Sequence, residues 1–213
     1  MTRLRVTEIF RSLQGEGLDA GLPTVFVRLT GCPLRCGYCD TAYAFKGGRS
    51  MGVEEICRVV GEHGARHVTV TGGEPLAQKG THALIPALCD QGHEVSVETS
   101  GALDVAQVDP RATLVMDLKT PGSGEVERNL WRNLEHLKPG DQVKFVLCHR
   151  EDYEWSRWQV EEHGLAERCQ VLFSPAWGEL EPRELAEWIL EDGLPVRLQL
   201  QLHKILWGEE PGR

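Results

Sequence analysis

Short runs of β-branched and aromatic residues recur along this chain at intervals that leave room for a helix between them. That rhythm restricts the fold to a few α/β architectures. Thr24 to Leu29 reads Thr-Val-Phe-Val-Arg-Leu, Val68 to Thr71 reads Val-Thr-Val-Thr, and Glu94 to Glu98 reads Glu-Val-Ser-Val-Glu. Each run is a predicted strand that ends at glycine or a polar turn. Further strands are predicted over Thr113 to Leu118, Gln142 to Cys148, Gln170 to Phe173 and Val196 to His203. The last of these alternates, with Val196, Leu198, Leu200 and Leu202 on one face and Arg197, Gln199, Gln201 and His203 on the other. Val53, Ile56, Cys57, Val59 and Val60 form a helical stripe closed by Gly64. Leu84, Ile85, Leu88 and Cys89 form another before Gly92, with Pro86 blurring its start. A third helix opens at Pro182, carries Leu185, Trp188 and Ile189, and closes at Gly193. The pattern predicts a parallel sheet, open or closed into a barrel, in a single domain over residues 1–213, a length suited to one core.

Such sheets place chemistry at the carboxyl ends of their strands. Cys32, Gly72-Gly73, Ser100-Gly101, Lys119 and Ser174-Pro175 all follow predicted strands, so five strand ends are expected to meet on one rim. Three cysteines lie within the eight residues Cys32-Pro33-Leu34-Arg35-Cys36-Gly37-Tyr38-Cys39, with no fourth nearby. A tetrahedral iron-sulfur cluster normally takes four thiolates, so the spacing predicts a cluster with one iron open to a substrate or cofactor. Cys36 and Cys39 with His63 and His67 have spacings a zinc site also allows, but Gly64 at the helix end separates the histidines and Cys32 would have no role. Taken alone, Gly72-Gly73-Glu74-Pro75 is compatible with an ordinary βα turn. Cys57 and Cys89 lie on apolar helix faces and read as small core residues.

Composition narrows the partners. Apolar and charged contents of 41% and 26% are those of a folded globular chain. Seven cysteines, an odd and mostly scattered set, do not form a disulfide framework, and reduced thiols are expected. The formal charge of -9 opposes direct binding of nucleic acid through its phosphates. Neither a membrane-length apolar run nor a signal-type start is present, so a cytoplasmic location without membrane association is expected.

Cys32-x3-Cys36-x2-Cys39, with Tyr38 before its third cysteine, resembles the cluster motif of the radical S-adenosylmethionine superfamily, and Gly72-Gly73-Glu74-Pro75 resembles its methionine-binding run. A narrower resemblance covers nearly the whole chain. Ile9 to Gly17, Phe26-Val27-Arg28-Leu29, Cys39-Asp40-Thr41, Val97-Glu98-Thr99-Ser100-Gly101 and Leu202-His203-Lys204 are similar to the 7-carboxy-7-deazaguanine synthase family of queuosine and 7-deazapurine biosynthesis. The resemblance implies a laterally open, incomplete TIM-type βα barrel of about six parallel strands. It also implies a [4Fe-4S] cluster on Cys32, Cys36 and Cys39, S-adenosylmethionine as a regenerated cofactor, and Mg2+ on Thr41.

The implied contacts to S-adenosylmethionine are Gly37, Tyr38, Cys39, Gly73, Glu74 and Ser100, then Asp117, Leu118 and Lys119, then Ser174, Pro175, Ala176 and Trp177. Some relatives carry Ser-Pro-Lys where this chain has Asp117-Leu118-Lys119, which leaves Lys119 as the position that transfers directly. Implied substrate contacts are Ser12, Leu13, Gln14, Glu16, Arg28, Thr71 and His203. Arg28 is suited to the substrate carboxylate as a planar, permanently charged fork. The implied substrate is 6-carboxy-5,6,7,8-tetrahydropterin. A hydrogen is taken from its C6 by a cofactor-derived radical, the ring contracts and ammonia is lost, so no side chain is assigned the bond-breaking role. A homodimer and a flavodoxin-type reductant follow from the same resemblance. In some relatives the chain ends soon after His-Lys and its carboxylate reaches the substrate, whereas here Ile205 to Arg213, with Glu209 and Glu210, runs on. The competing readings are a small glycyl-radical activating enzyme, which would share both cofactor motifs, and a zinc-stabilised binding module.

Overall fold

The computed structural model describes residues 2–208, 210 and 212. Its centre is a nine-stranded sheet in the order β3-β1-β2-β4-β5-β6-β7-β8-β9. The strands are β1 (Arg3–Leu13), β2 (Pro23–Leu29), β3 (Arg49–Gly52), β4 (His67–Gly72), β5 (Glu94–Thr99), β6 (Thr113–Asp117), β7 (Gln142–Leu147), β8 (Gln170–Pro175) and β9 (Arg197–Leu198). From β2 through β9 all neighbours run parallel, while β1 pairs antiparallel with both β2 and β3. The helices are α1 (Val53–His63), α2 (Thr81–Asp90), α3 (Arg150–Glu162), α4 (Leu165–Arg168), α5 (Pro182–Asp192) and α6 (Leu202–Trp207). None of them is long and apolar enough to cross a membrane.

Alternation along the parallel strands sorts their residues onto two faces. Val27, Val70, Val97 and Leu114 pair across four strands and are buried in the apolar layer shared with α1 and α2. Met116, Val143, Phe145, Val171 and Phe173 continue that face and pack with Tyr153 of α3 and Leu185 of α5. The intervening residues, Phe26, Arg28, Thr71, Glu98, Val115, Asp117, Lys144 and Val146, line a cavity on the opposite face. Parallel strands buried on both faces usually read as continuous apolar runs. Here every second residue facing the interior is free to be polar because the interior is a cavity.

Three expectations are corrected. The alternating run Val196 to His203 is not one strand: β9 contributes two residues to the sheet edge, Leu198 is 39% exposed, and Gln199 turns inward with its N–H on the Phe173 carbonyl at 2.8 Å. Leu202, Ile205 and Leu206 also satisfy helical spacing, and this part of the run belongs to α6, where His203 resides. The strand-helix rhythm is also not kept throughout. The β5–β6 connection has none, and the β6–β7 connection has only short 3-10 turns at Pro121–Ser123, Val126–Arg128 and Trp131–His136. Finally, Thr24 to Leu29 is not the first strand: β1 precedes it, so the Leu13-Gln14-Gly15-Glu16-Gly17 segment, which lies ahead of every strand expected from sequence, follows one instead. In the stretch after His203, Ile205 to Trp207 complete α6, while Glu209, Pro211 and Arg213 lie outside the described residues.

Candidate active site

The carboxyl ends of β2, β4, β5, β6 and β8 lead into one cavity of about 360 Å3. Cys32, Cys36 and Cys39 reach it from the loop after β2. All three thiols are free and partly exposed, and burial pushes those of Cys32 and Cys36 above the ordinary thiol range. Among the described residues no group of three or more His, Cys, Asp or Glu converges on a single metal ion. Three cysteines delivered by one loop to the cavity suit a multi-iron cluster, whose irons take their thiolates individually and leave one iron open. His67 stands at the start of β4, the end away from the rim, where it faces Glu94 at 3.3 Å. The cysteines and His67 therefore do not meet at one end of the sheet.

Two glycines bring β4 against the cysteine loop. Gly72 has φ of 150°, and a β-carbon there would fall 2.2 Å from the Leu29 carbonyl oxygen. On Gly73 it would fall 2.4 Å from the Gly31 carbonyl oxygen. The adjacent Glu74 is fully buried and does not line the cavity. Its carboxylate accepts from the Leu76 N–H at 2.9 Å, the Thr99 hydroxyl at 3.0 Å, and the Ser100 N–H and hydroxyl at 2.7 and 2.5 Å. Glu74 thus ties the end of β4 to the end of β5 and sets Ser100, which does line the cavity.

A largely buried row of alternating charge crosses the opposite wall. Lys144 of β7 is paired with Glu16 and lies 3.8 Å from Asp117 of β6, which in turn is 3.0 Å from Lys119. Burial opposes charge on Glu16, yet the charge and hydrogen bond of Lys144, with help from Gln201, hold its carboxyl at about 2. Burial opposes charge on Lys144 and Lys119 too, but Glu16 and Asp117 hold Lys144, and Asp117 with the Cys36 sulfur holds Lys119, well above the usual lysine range. Asp117 Oδ1 is buried with no partner, as is the Tyr38 hydroxyl, whose ring lies 5.8 Å from Lys119 Nζ. An unfilled acceptor in a cavity wall suits a bound molecule carrying polar hydrogens.

The loop that supplies Gln14 and Glu16 is pinned from several sides. Leu18 N–H reaches Gln142 Oε1 at 2.9 Å, and Leu202 N–H of α6 reaches the Gly15 carbonyl at 2.9 Å. A side chain at Gly15 would strike His203, with its β-carbon 2.1 Å from the ring Nδ1. Gln201 donates to Glu16 Oε1 at 2.9 Å. Gln14 is buried; its amide donates to Thr69 Oγ1 at 3.0 Å and Glu98 Oε1 at 3.2 Å, while Thr71 donates to Glu98 Oε2 at 2.9 Å.

Thr41 stands at the N-terminal edge of a short turn without capping it. Its hydroxyl donates to Asp40 Oδ1 at 2.7 Å, which leaves its lone pairs available, and both residues line the cavity. Oxygen lone pairs of this kind suit Mg2+.

Of the residues expected from sequence, Leu13, Gln14, Glu16, Arg28, Thr71 and His203 line the cavity, as do Cys32, Cys36, Tyr38, Cys39 and Thr41. Gly73, Ser100, Asp117, Lys119, Ala176 and Trp177 join them. Ser12, Gly37, Glu74, Leu118, Ser174 and Pro175 do not, and Leu118 is fully buried in the apolar layer. Sequence reasoning missed Glu98, Lys144, Gln201 and Lys204, which also line it. Glu98 and Lys144 carried a usable signal, since each alternates with buried apolar residues on its strand.

Three thiols and a diglycine turn at the mouth of a parallel α/β sheet define a radical S-adenosylmethionine protein, and the sequence model of that superfamily matches residues 26–115. At the level of individual proteins, the chain is 46% identical to 7-carboxy-7-deazaguanine synthase of Chlorobaculum tepidum over 97% of its own length and 96% of the relative's. Its identity to the synthase of Koribacter versatilis is 42%, over 97% and 98% of the two chains. The crystal structure of QueE from Escherichia coli superposes with a TM-score of 0.77 at 25% identity, covering 94% of this chain and 95% of that one. The chain belongs to the 7-carboxy-7-deazaguanine synthase family of radical S-adenosylmethionine enzymes.

Proposed function

We propose that the chain converts 6-carboxy-5,6,7,8-tetrahydropterin to 7-carboxy-7-deazaguanine with loss of ammonia, a step toward queuosine and related 7-deazapurines. One observation carries the reading. A single cavity is lined at once by the cysteine loop and by Gln14, Glu16, Arg28 and Thr71. Cys32, Cys36 and Cys39 would hold a [4Fe-4S] cluster. Gly73, Ser100, Asp117, Lys119, Ala176 and Trp177 would meet S-adenosylmethionine, and Thr41 would meet Mg2+. When bound, the cluster and S-adenosylmethionine supply hydrogen-atom abstraction at C6 of the pterin.

The side chains have positioning and electrostatic tasks. Arg28 offers a planar fork to the substrate carboxylate. Glu16, kept ionised by Lys144, accepts hydrogen bonds from the amide and amino edge of the pterin. Gln14 has its amide hydrogens on Thr69 and Glu98, so it acts mainly by fixing the wall next to Glu16. Fixing the ring in this way presents one hydrogen to the abstracting group. The open parallel sheet supports a laterally open βα barrel of about six strands formed by one domain over residues 1–213. Cytoplasmic location, a homodimer and a flavodoxin-type reductant complete the proposal.

The test uses substrate deuterated at C6, S-adenosylmethionine and a strong reductant under anaerobic conditions. Deuterium is expected in 5'-deoxyadenosine and, because the cofactor is regenerated, in recovered S-adenosylmethionine. Product formation with no deuterium in either species overturns abstraction at C6.

A further inference from the structure

The alternation of β1 changes phase at one bulge. Leu4 and Val6 are buried in the apolar layer, but the register shifts by one residue between Val6 and Glu8, so that Glu8 lies opposite Arg28 and Phe10 opposite Phe26. Continuing the Val6–Leu29 register would instead set Glu8 against Val27, which is fully buried in the apolar layer. Bulges commonly re-aim side chains in this manner.

In the observed register Glu8 Oε1 accepts from Arg28 Nε at 2.8 Å and from the Tyr43 hydroxyl at 2.8 Å. The Arg28 guanidinium also lies 5.7 Å from the Phe10 ring centre and 5.9 Å from that of Tyr43. Burial first, and then Glu8, pushes the Tyr43 hydroxyl up to about 12, so it remains a donor at neutral pH. Arg28 lines the cavity, whereas Glu8 and Tyr43 stand behind it. An arginine held by Nε and confined between rings has already lost much of the side-chain freedom that ligand binding would otherwise remove.

We propose that Glu8, steadied by Tyr43, is a positioning residue that aims the two terminal nitrogens of Arg28 into the cavity and thereby sets the preference for a carboxylate-bearing pterin. The inference rests on the reading of Arg28 as the carboxylate clamp. Glu8 also subtracts charge from the site, so if attraction alone governed binding, its removal would tighten the complex.

Calorimetric binding to the cluster-loaded protein separates these cases, with carboxytetrahydropterin and tetrahydropterin lacking the carboxylate as the two probes. Glu8→Ala is expected to weaken the carboxylated probe about tenfold, while Glu8→Gln, which keeps an acceptor, stays within about threefold of wild type. The probe without the carboxylate should bind wild type and Glu8→Ala equally. Adding Glu8→Ala to Arg28→Ala should change nothing further, because Glu8 acts through Arg28. Equal weakening of both probes, or unchanged or tighter binding of the carboxylated one by Glu8→Ala, overturns the proposal. If Arg28→Ala itself keeps the full preference, the clamp reading falls and the proposal falls with it; if Arg28→Ala abolishes the preference while Glu8→Ala retains it, only the role of Glu8 is lost.

Discussion

Gly73 lies so close to Cys32 that a β-carbon on the glycine would stand 2.7 Å from Cβ of the cysteine. With the Gly31 backbone equally near, the loop cannot give way by a simple rotamer change. Gly73→Ala should therefore displace Cys32, and reconstituted protein should lose iron content and visible absorption. Full iron occupancy in that variant would show that the loop tolerates the shift.

The thiols separate into those that face the cavity and those that pack. Cys57 is buried on α1 within the apolar layer, unlike Cys36. Reconstituted wild type should contain about four irons and four sulfides per chain. Cys36→Ala is expected to abolish the visible absorption and the cleavage of S-adenosylmethionine, while Cys57→Ala retains both. Iron analysis and anaerobic chromatography of the adenosyl product check the pair.

Breaking the Glu16–Lys144 pair should be worse than removing it. Lys144→Met leaves a buried carboxylate without its cation, a loss of about 3–5 kcal/mol, and adding Glu16→Gln should restore most of the stability but not the turnover. The pair also has a pH signature. Folding lowers the Glu16 carboxyl from 4.5 to about 2, so its contribution is fully present above pH 4.5 and is lost as pH falls toward 2. In chemical denaturation, wild type should lose stability relative to the double variant as pH falls across that window; a constant difference would count against the coupling.

Thr41 has a hydroxyl whose proton is already committed to Asp40. If its lone pairs meet Mg2+, Thr41→Ala should lower turnover and flatten the response to added magnesium, with the cluster spectrum unchanged. A magnesium titration identical to wild type would remove this ligand from the assignment.

The parallel strands were legible because their apolar residues recur at every second position, as in Val68 and Val70 or Val95 and Val97. The polar residues between them were equally visible, but period alone does not say whether that face meets water, a helix or a cavity. Thr71 and Arg28 were reached through motif resemblance; Glu98 stood inside a quoted motif without being given a role, and Lys144 belongs to no short motif. The pairing of Lys144 with Glu16 arises only when β7 approaches the loop after β1, and local sequence carries no record of that approach. β1 was missed because its bulge breaks the alternation in mid-strand, and β3 because four residues with one buried side chain leave little pattern. Val196 to His203 failed for the opposite reason. Its alternation was clean, but β9 is a sheet edge with a partner on one side, where apolar alternation need not correspond to burial.

The charges set into the cavity wall also bear on how such a protein can evolve. Well-packed apolar replacements for buried ion pairs are often neutral or stabilising. Lineages selected only for heat resistance would thus drift toward filling the interior with leucine and methionine at positions 16 and 144. They would become sturdier and catalytically silent, because the charges that cost stability are the ones that face the cavity.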